Sequence, residues 1–396
     1  MHCTTTAEVS SHSVRTCGVS NGSPMKNNWF QRYLLPGFIF QSAIIAGAYG
    51  SGRELAEFFL GHGPVGGLLG MAVTTIIFSV VLVATFEFSR YFQLYDYRSL
   101  FKTLLGRGWP LYEILYWFLM ILVISIVGAA AGDIVRDTFG LPPFVGIIGI
   151  MTLIALLVFF GTSAVERYFA IWSFVLYGTY ITLLGWHLVQ HGEKIQTNLS
   201  AFGINDGWLQ SGIAYSGYNL AIIPALLFCV RHLGSRRDAV TAGILGGPIA
   251  MLPAALFFIA MIGQYEALVA AGSDGVLPVT ILLNSLRGAD FLIYLFPIVL
   301  FGTFIETGTA LIHGVNERLD QAFAERSVQM PRWMRPAVAI AILFVAVVLA
   351  DAVGLTNLVS QGYGTITWAF LLIYVLPLLT YGLWLLCNNA QNSSVI

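Results

Sequence analysis

The sequence predicts an all-α, polytopic membrane protein whose ten transmembrane helices form two five-helix halves in inverted repeat. Of its 396 residues, 57% are hydrophobic and 10% are charged, whereas soluble domains are about 25% charged. The mean hydropathy of +0.79 agrees with a membrane protein. Two further observations define the arrangement: basic residues fall on one side of the predicted spans, and the first and sixth spans are interrupted.

Ten segments are long and apolar enough to cross a bilayer core of about 30 Å, which takes roughly 20 residues. They are 33–60, 65–89, 110–134, 143–161, 164–189, 207–230, 237–263, 290–315, 333–353 and 358–387. Two shorter stretches, 97–105 and 278–287, are predicted as helices lying on the membrane surface.

Basic residues support this count. Fifteen of the nineteen Lys and Arg residues fall in segments that the ten-span topology puts on the N-terminal side. Cytoplasmic loops carry such an excess, so we expect both termini in the cytoplasm. Four basic residues fall elsewhere: Arg136, Lys194 and Arg287 in outer loops and Arg53 inside a span.

The predicted topology divides the chain into five parts. They are a cytoplasmic tail (1–32), a first five-helix repeat (33–189), an outer linker (190–206), a second repeat (207–387) and a cytoplasmic C-terminal tail (388–396). Residues 1–24 have no apolar core and are not a signal peptide. Either they form a short disordered tail, or translation starts at Met25.

Composition also excludes several classes of function. The net charge of −1 gives no reason to expect a nucleic-acid partner. The four cysteines are too few and too scattered for a disulfide framework or a zinc site. No HExxH, GxSxG or phosphate-binding glycine loop occurs, so we expect no enzyme, cofactor or metal centre. The expected partners are a small-molecule substrate and the lipid bilayer, and the oligomeric state is not predicted.

The first span is interrupted near its middle. Gly47, Gly50 and Gly52 stand within six residues, and each costs about 1 kcal/mol of helix propensity relative to Ala. Arg53 and Glu54 follow at once, although charges at this depth cost about 2.5–3.5 kcal/mol on insertion scales. Close packing of helices is the alternative explanation of the glycines, but it does not explain the charges. We therefore predict unwound backbone here.

The sixth span has a counterpart in the run Gln210 to Asn219, with Ser216-Gly217 as the predicted break and Pro224 beyond it. Aligned without gaps to the run from Gln41 to Gly50, it matches at four of ten positions. Spans one and six enter the membrane from opposite sides in this topology. Interrupted helices at corresponding places of inverted halves indicate a transport site near the midplane.

These two runs carry a resemblance to a known family. The run from Gly47 to Glu54, read Gly-Ala-Tyr-Gly-Ser-Gly-Arg-Glu, with Tyr-Ser-Gly-Tyr-Asn at 215–219, is similar to YkvI-type bacterial membrane proteins. That family usually has Gln at the position of Arg53 and Phe at that of Tyr49. The resemblance implies the LeuT-type fold of the amino acid–polyamine–cation superfamily, and a secondary transporter of the bacterial inner membrane that works by alternating access.

The resemblance also implies a substrate site between the two breaks. Backbone amides of Ser51 and Gly52 would face a substrate carboxylate, and Glu54 a substrate amine or cation. Arg53 would either join this site or pair with Glu57 at i,i+4. The remaining predicted substrate-binding residues are Gly47, Gly50, Tyr215, Ser216, Gly217, Tyr218 and Asn219.

A coupling-ion site is predicted beside the first break. Thr303, Glu306 and Thr307 share one face of span eight, and in sodium-coupled members of the fold span-eight hydroxyls and span-one carbonyls hold Na⁺. By that resemblance they face the segment from Ala46 to Tyr49. A carboxylate departs from the hydroxyl pattern, so Glu306 could carry a proton instead.

These features predict a symporter of a small polar solute, such as an amino acid or related zwitterion, coupled to Na⁺ or H⁺. The alternative is a non-transporting receptor for a small molecule, like the germinant-receptor subunits that resemble this superfamily. A passive channel is a third option, which the lack of any ring of like charges disfavours.

Overall fold

A computed structural model of the chain describes residues 29–45, 47–160, 162–272, 278–288, 290–331, 333–353 and 366–393, and within these ranges every regular element is helical. Within the described residues, the first half contains nine α-helices. They are α1 (Trp29–Tyr33), α2 (Leu35–Ile44), α3 (Gly47–Gly50), α4 (Arg53–Phe58), α5 (Gly63–Phe92), α6 (Tyr97–Leu105), α7 (Trp109–Phe139), α8 (Pro143–Phe160) and α9 (Thr162–Ala201).

The second half repeats the pattern of one interrupted helix followed by long ones. Its elements are α10 (Trp208–Leu220), a 3₁₀ segment (Ile223–His232), α11 (Arg236–Ile262), α12 (Tyr265–Ala271), α13 (Pro278–Ser285), α14 (Asp290–Ala324), α15 (Met334–Val353) and α16 (Ile366–Asn389). The last helix includes two π-helical turns, Leu371–Val375 and Leu378–Gly382, and it continues beyond the span-forming part Ile366–Asn389 to Ser393.

Seven of these helices are long and apolar enough to cross a membrane, and α10 with its 3₁₀ segment makes an eighth, bent span. The shorter apolar helices α2 and α15 lie within the other two predicted spans. Large apolar side chains on the outer helix faces are exposed, among them Phe118 and Phe344, as expected of surfaces that contact lipid. The chain is thus a multi-pass membrane protein.

Some boundaries differ from the predicted ones. Helix α9 continues to Ala201, past the predicted end of span five at residue 189. The short helices predicted at 97–105 and 278–287 form as α6 and α13. Asp96 caps α6, because its carboxylate accepts a hydrogen bond from the Ser99 amide at 3.0 Å. Helix α12 was not predicted, since its seven residues are too short for a periodic signal.

Two groups of helices pack against each other. Helices α2, α5, α10 and α11 form one group, and α7, α8, α14 and α15 form the other. The most extensive contact is between α5 and α11, where Gly243 and Gly247 face the backbone of Val83 and Thr75 within 2.5 Å of where a Cβ would stand. Two glycines at i,i+4 let membrane helices approach this closely.

Spans one and six run in opposite directions. Span one begins where Tyr33 donates to Asp238 at 2.8 Å, beside the start of α11. Helix α10 begins at the other end of the molecule, where His62 Nδ1 lies 2.9 Å from the Asp206 carbonyl. We call the end that carries Asp238, Arg231 and Arg335 the basic end; it is the predicted cytoplasmic side.

Candidate functional site

The chain leaves the helix in span one, as predicted. Helix α2 ends at Ile44, Ile45 has φ −76° and ψ 75°, and the single turn α3 follows. Gly52 then takes φ +81°, a conformation open to glycine at little cost. A Cβ there would lie 2.4 Å from the ring of Phe257. Ala46 lies outside the described residues, so its predicted role stays untested.

The second interruption occurs later than predicted. Helix α10 runs unbroken to Leu220, and the chain bends by 66° into the 3₁₀ segment. The prediction of a break at Ser216-Gly217 is therefore wrong. Pro224 supplies the physical reason, because it has no N–H to donate to Leu220 four residues earlier. Gly217 instead permits close packing, since a Cβ would lie 2.5 Å from Thr367 Cγ2.

Glu54 and Tyr218 join the two interrupted spans. The Tyr218 hydroxyl donates to Glu54 Oε2 at 2.6 Å, and both side chains are buried. Phe58 and Tyr215 pack around them, with the Phe58 ring centroid 5.8 Å from Tyr218 and 5.4 Å from Tyr215. A buried carboxylate thus lies in an aromatic shell between the breaks. This arrangement suits a cationic or hydrogen-bonding group.

Other predicted substrate-binding groups already have internal partners. The Gly52 amide donates to the Tyr49 carbonyl at 2.9 Å, so in this conformation it is not open to a carboxylate. The Ser51 carbonyl accepts from the Val279 amide at 3.1 Å, which fastens α13 to the break.

Two polar side chains of α10 are also engaged, in this case within their own helix. Ser216 donates to the Gly212 carbonyl at 2.7 Å and Asn219 to the Tyr215 carbonyl at 2.9 Å. They would need to change partners to bind a solute.

Arg53 does not share the surroundings of Glu54. With Glu57 it lines a cavity of about 250 Å³ that α12 and α13 help to enclose. No ion pair within 4 Å joins Arg53 to Glu57, both of which the structure describes. The Arg53 Nε atom is buried and makes no hydrogen bond. The two neighbouring charges of the predicted site therefore face different spaces.

The α14 residues meet the first break. Ser42 donates to Glu306 Oε1 at 2.8 Å, and Thr307 donates to the carbonyls of Ser42 and Ile45 at 3.3 and 3.2 Å. Glu306 is wholly buried, and its Oε2 atom has no hydrogen-bond partner. Thr303 donates to Leu300 within its own helix at 2.7 Å.

This cluster offers hydroxyl, carbonyl and carboxylate oxygens to one point beside the end of α2. Carbonyls freed where a helix unwinds, together with the negative end of its dipole, bind cations. Such hard oxygen ligands suit an alkali or alkaline-earth cation better than a soft metal. The residue set therefore fits a cation, and the open Oε2 atom of Glu306 is the group most available to it.

Several residues of the site were not predicted. Ser42 is one, and Ser173 of α9 is another, with its Oγ 3.2 Å from that of Ser42. Tyr180 donates to the Gly50 carbonyl at 3.5 Å. Gln41 is wholly buried, and neither atom of its amide group has a partner. The sequence marks such a residue only as a polar side chain inside an apolar helix. This does not show which polar side chains meet at one site in the folded chain.

Solved structures with a similar fold are transporters. A Na⁺-coupled sialic acid symporter, substrate-bound and outward-open, matches with a TM-score of 0.62 at 14% identity, covering 86% of this chain and 78% of its own. MhsT in complex with L-phenylalanine gives 0.62 at 17% identity, covering 86% of both chains. Mhp1, a nucleobase-cation-symport-1 family transporter with bromovinylhydantoin bound, gives 0.56 at 16% identity, covering 85% and 75%.

These matches confirm the predicted LeuT-like fold. At such identities they establish the fold alone. No protein-family model matches the sequence, and no curated protein matches it. The resemblance to YkvI-type proteins is therefore a hypothesis that these comparisons do not confirm.

Proposed function

We propose that this chain is a secondary active transporter of the bacterial inner membrane, related to YkvI-type proteins, that imports a small polar solute with Na⁺ or H⁺. The observation that carries the proposal is a pair of polar contacts beside the break in span one: Glu54 meets Tyr218 of the second interrupted span, and Ser42 at the end of α2 meets Glu306 and Thr307 of α14. Two polar sites thus lie beside the same break.

An amino acid or related zwitterion is the proposed solute class. Glu54 would receive its ammonium group, and the backbone of the unwound segment its carboxylate once the Gly52 amide is released. The proposed substrate-binding set consists of the predicted residues Gly47, Gly50, Ser51, Gly52, Glu54, Tyr215, Ser216, Gly217, Tyr218 and Asn219. Arg53, which was also predicted, lines the separate cavity and would join the set only after a rearrangement. The three solved structures of the same fold are a Na⁺-coupled sialic acid symporter, MhsT in complex with L-phenylalanine and a transporter of the nucleobase-cation-symport-1 family, and this range supports a small polar solute.

The proposed coupling site consists of Ala46, Tyr49, Thr303, Glu306 and Thr307. The proposed topology has both termini in the cytoplasm, because that orientation places fifteen of nineteen basic residues on the inner side. Binding of a cation by Glu306 and the end of α2 would hold span one against α14. The solute and the cation would then stabilise the same closed arrangement.

The first test is thermal denaturation of the purified protein with amino acids, amines and organic acids, in Na⁺ or in choline. A solute that binds only the folded state raises stability by about 2.7 kcal/mol at a hundredfold excess over Kd. We expect at least one zwitterion to raise Tm, and radiolabelled uptake of that solute into proteoliposomes to follow. Glu306→Gln should abolish uptake, whereas the exposed α12 variant Glu266→Gln should not.

The outcomes separate the candidate functions. A Tm shift that grows with Na⁺ and leads to uptake supports Na⁺ symport, and a Na⁺-independent shift with uptake driven by a pH gradient supports H⁺ symport. Binding without uptake favours the receptor. Unchanged uptake in Glu306→Gln would exclude that residue from coupling.

A further inference from the structure

One face of α14 carries buried titratable groups from the Glu306 site to the basic end. Glu306, His313 and Glu317 are seven and four residues apart, intervals that keep side chains on one helix face. All three are buried. At 1.5 Å rise per residue, Glu306 and His313 are about 10 Å apart along the axis, and His313 and Glu317 about 6 Å.

His313 is the unexplained member of this row. Its side chain is wholly buried, and neither ring nitrogen makes a hydrogen bond. Nε2 lies 3.6 Å from Glu317 Oε1, and the ring of Phe228 meets it edge-on with centroids 4.9 Å apart. Buried polar groups are almost always hydrogen-bonded. His313 combines two unbonded nitrogens with a carboxylate 3.6 Å from Nε2 and with a place in a row of buried polar groups on one helix face, and this combination indicates a role beyond packing.

Two neutral polar groups occupy the intervals between the charged ones. The Thr309 hydroxyl lies one turn beyond Glu306, and the Asn316 amide group lies one turn beyond His313. Both side chains are wholly buried and make no hydrogen bond. Together with Glu306, His313 and Glu317 they place a polar side chain at every turn of this helix face, and we call these five residues the α14 column.

At the basic end, the column lies beside charged side chains from three other elements. Glu317 accepts from Arg231 of the 3₁₀ segment at 3.0 Å and lies 3.7 Å from Arg335 of α15. Glu166 of α9 lies 3.3 Å from His232 beside them. These are the charged groups that face His313, and Glu317 is the nearest, so an imidazolium at His313 would have a carboxylate within contact distance.

We propose that His313 is a proton-binding station on a polar route along α14 that connects the Glu306 site with the basic end. A proton from water at that end would reach His313 Nε2 by way of Glu317, giving an imidazolium that the Glu317 carboxylate balances. The Thr309 hydroxyl would continue the route towards Glu306. Chains of acidic and histidine side chains inside a membrane mark proton relays. This inference rests on the proposed transport function and assigns the proton as its coupling ion.

The first arm of the test asks whether water reaches His313, and it needs no substrate. Diethyl pyrocarbonate acylates the unprotonated imidazole nitrogen, and mass spectrometry of the full-length protein in proteoliposomes gives the rate for each histidine. His187 is the matched control, because it too is wholly buried with both nitrogens unbonded but lies on α9, away from the column. We expect His313 to react at least tenfold faster than His187.

Asn316→Leu should slow that reaction to the His187 rate. The variant should fold, because it removes a buried amide group that has no partner, and an unchanged Tm verifies this. If His313 reacts no faster than His187, or if Asn316→Leu leaves its rate unchanged, the column is not a hydrated route and the proposal is wrong.

The second arm measures proton movement with pyranine inside proteoliposomes, after addition of an equimolar mixture of the twenty L-amino acids. We expect acidification of the lumen, at least tenfold slower in His313→Gln, with the amino-acid-induced Tm shift retained. Uptake of radiolabelled amino acids without acidification overturns the proton assignment and leaves the proposed transport function standing. With no uptake at all, transport of an L-amino acid is excluded, and the acylation arm alone then decides whether the column exists.

Discussion

Glu54 is a buried carboxylate whose hydrogen-bond donor is Tyr218, at 2.6 Å. Tyr218→Phe would leave Glu54 Oε2 buried without this donor, and an unsatisfied buried acceptor costs about 1–3 kcal/mol. We expect a lower Tm for Tyr218→Phe in thermal denaturation of the purified protein. Glu54→Gln keeps an acceptor oxygen for the tyrosine, so its loss of stability should be smaller. It should nevertheless abolish the Tm shift induced by a cationic or zwitterionic solute.

Tyr294→Phe is the matched control, because that tyrosine is 69% exposed and its hydroxyl can bond to solvent or lipid headgroups. Its Tm should equal that of the unmodified protein. In the double variant with Glu54→Gln, the loss from Tyr218→Phe should shrink, as expected of contacting residues. Equal Tm values for Tyr218→Phe and Tyr294→Phe would show that the bond contributes nothing.

At the scale of elements, the entry into α4 depends on Gly52. Its φ of +81° would cost about 1–2 kcal/mol for a residue with a Cβ. A Cβ would also lie 2.4 Å from Phe257 of α11 and 3.0 Å from Pro278 of α13. Gly52→Ala should therefore lose both backbone freedom and close packing, and we expect a lower Tm together with loss of the solute-induced shift.

Gly140→Ala separates the effect of backbone strain on Tm from the effect of a steric clash. Gly140 has φ +65° but no atom within 4 Å of its Cβ position, so alanine there brings strain without a clash. We expect Gly140→Ala to lower Tm by less than Gly52→Ala and to leave the solute-induced shift intact. If both variants lose the same stability, close packing of the break against α11 is unimportant.

At the scale of the whole molecule, one ion pair at the basic end fastens the span of α10 to the second helix group. Arg231 of the 3₁₀ segment that follows α10 donates to Glu317 of α14 at 3.0 Å, whereas Arg318 of α14 contacts Glu113 of α7 at 2.6 Å within the second group. The proposed alternating access requires the two helix groups to separate at this end when the site opens to it. The Arg231–Glu317 pair is therefore expected to hold the basic end closed.

Arg231→Gln should open this end more often. Cys229, two residues before Arg231, is buried and reports the opening through its rate of alkylation, followed by mass spectrometry. We expect a three- to tenfold faster rate, equivalent to about 0.7–1.4 kcal/mol, with the exposed Cys387 as the internal reference. Arg326→Gln, an exposed residue on the same side, should leave the rate unchanged. The same rate in both variants would mean that the pair does not govern opening.

The sequence by itself determined the class of protein, the span pattern and the interruption of the first span. Each follows from local chemistry: a long apolar run must cross lipid as a helix, and glycines followed by charges disfavour a continuous one at this depth. The fold of the solved transporters confirms that reading. The predicted orientation of the termini and the substrate and ion sites remain predictions.

Only the tertiary structure decided which polar groups meet. In the folded chain Glu54 contacts Tyr218, and Glu306 contacts Ser42. Arg53 lines a separate cavity. The bend of the second interrupted span lies between Leu220 and Ile223, just before Pro224. The physical reason is that lipid tails and neighbouring helices are equally apolar. The sequence of a membrane helix therefore does not show which of its faces packs inside, so the partner of each buried polar residue emerges only when the helices are assembled.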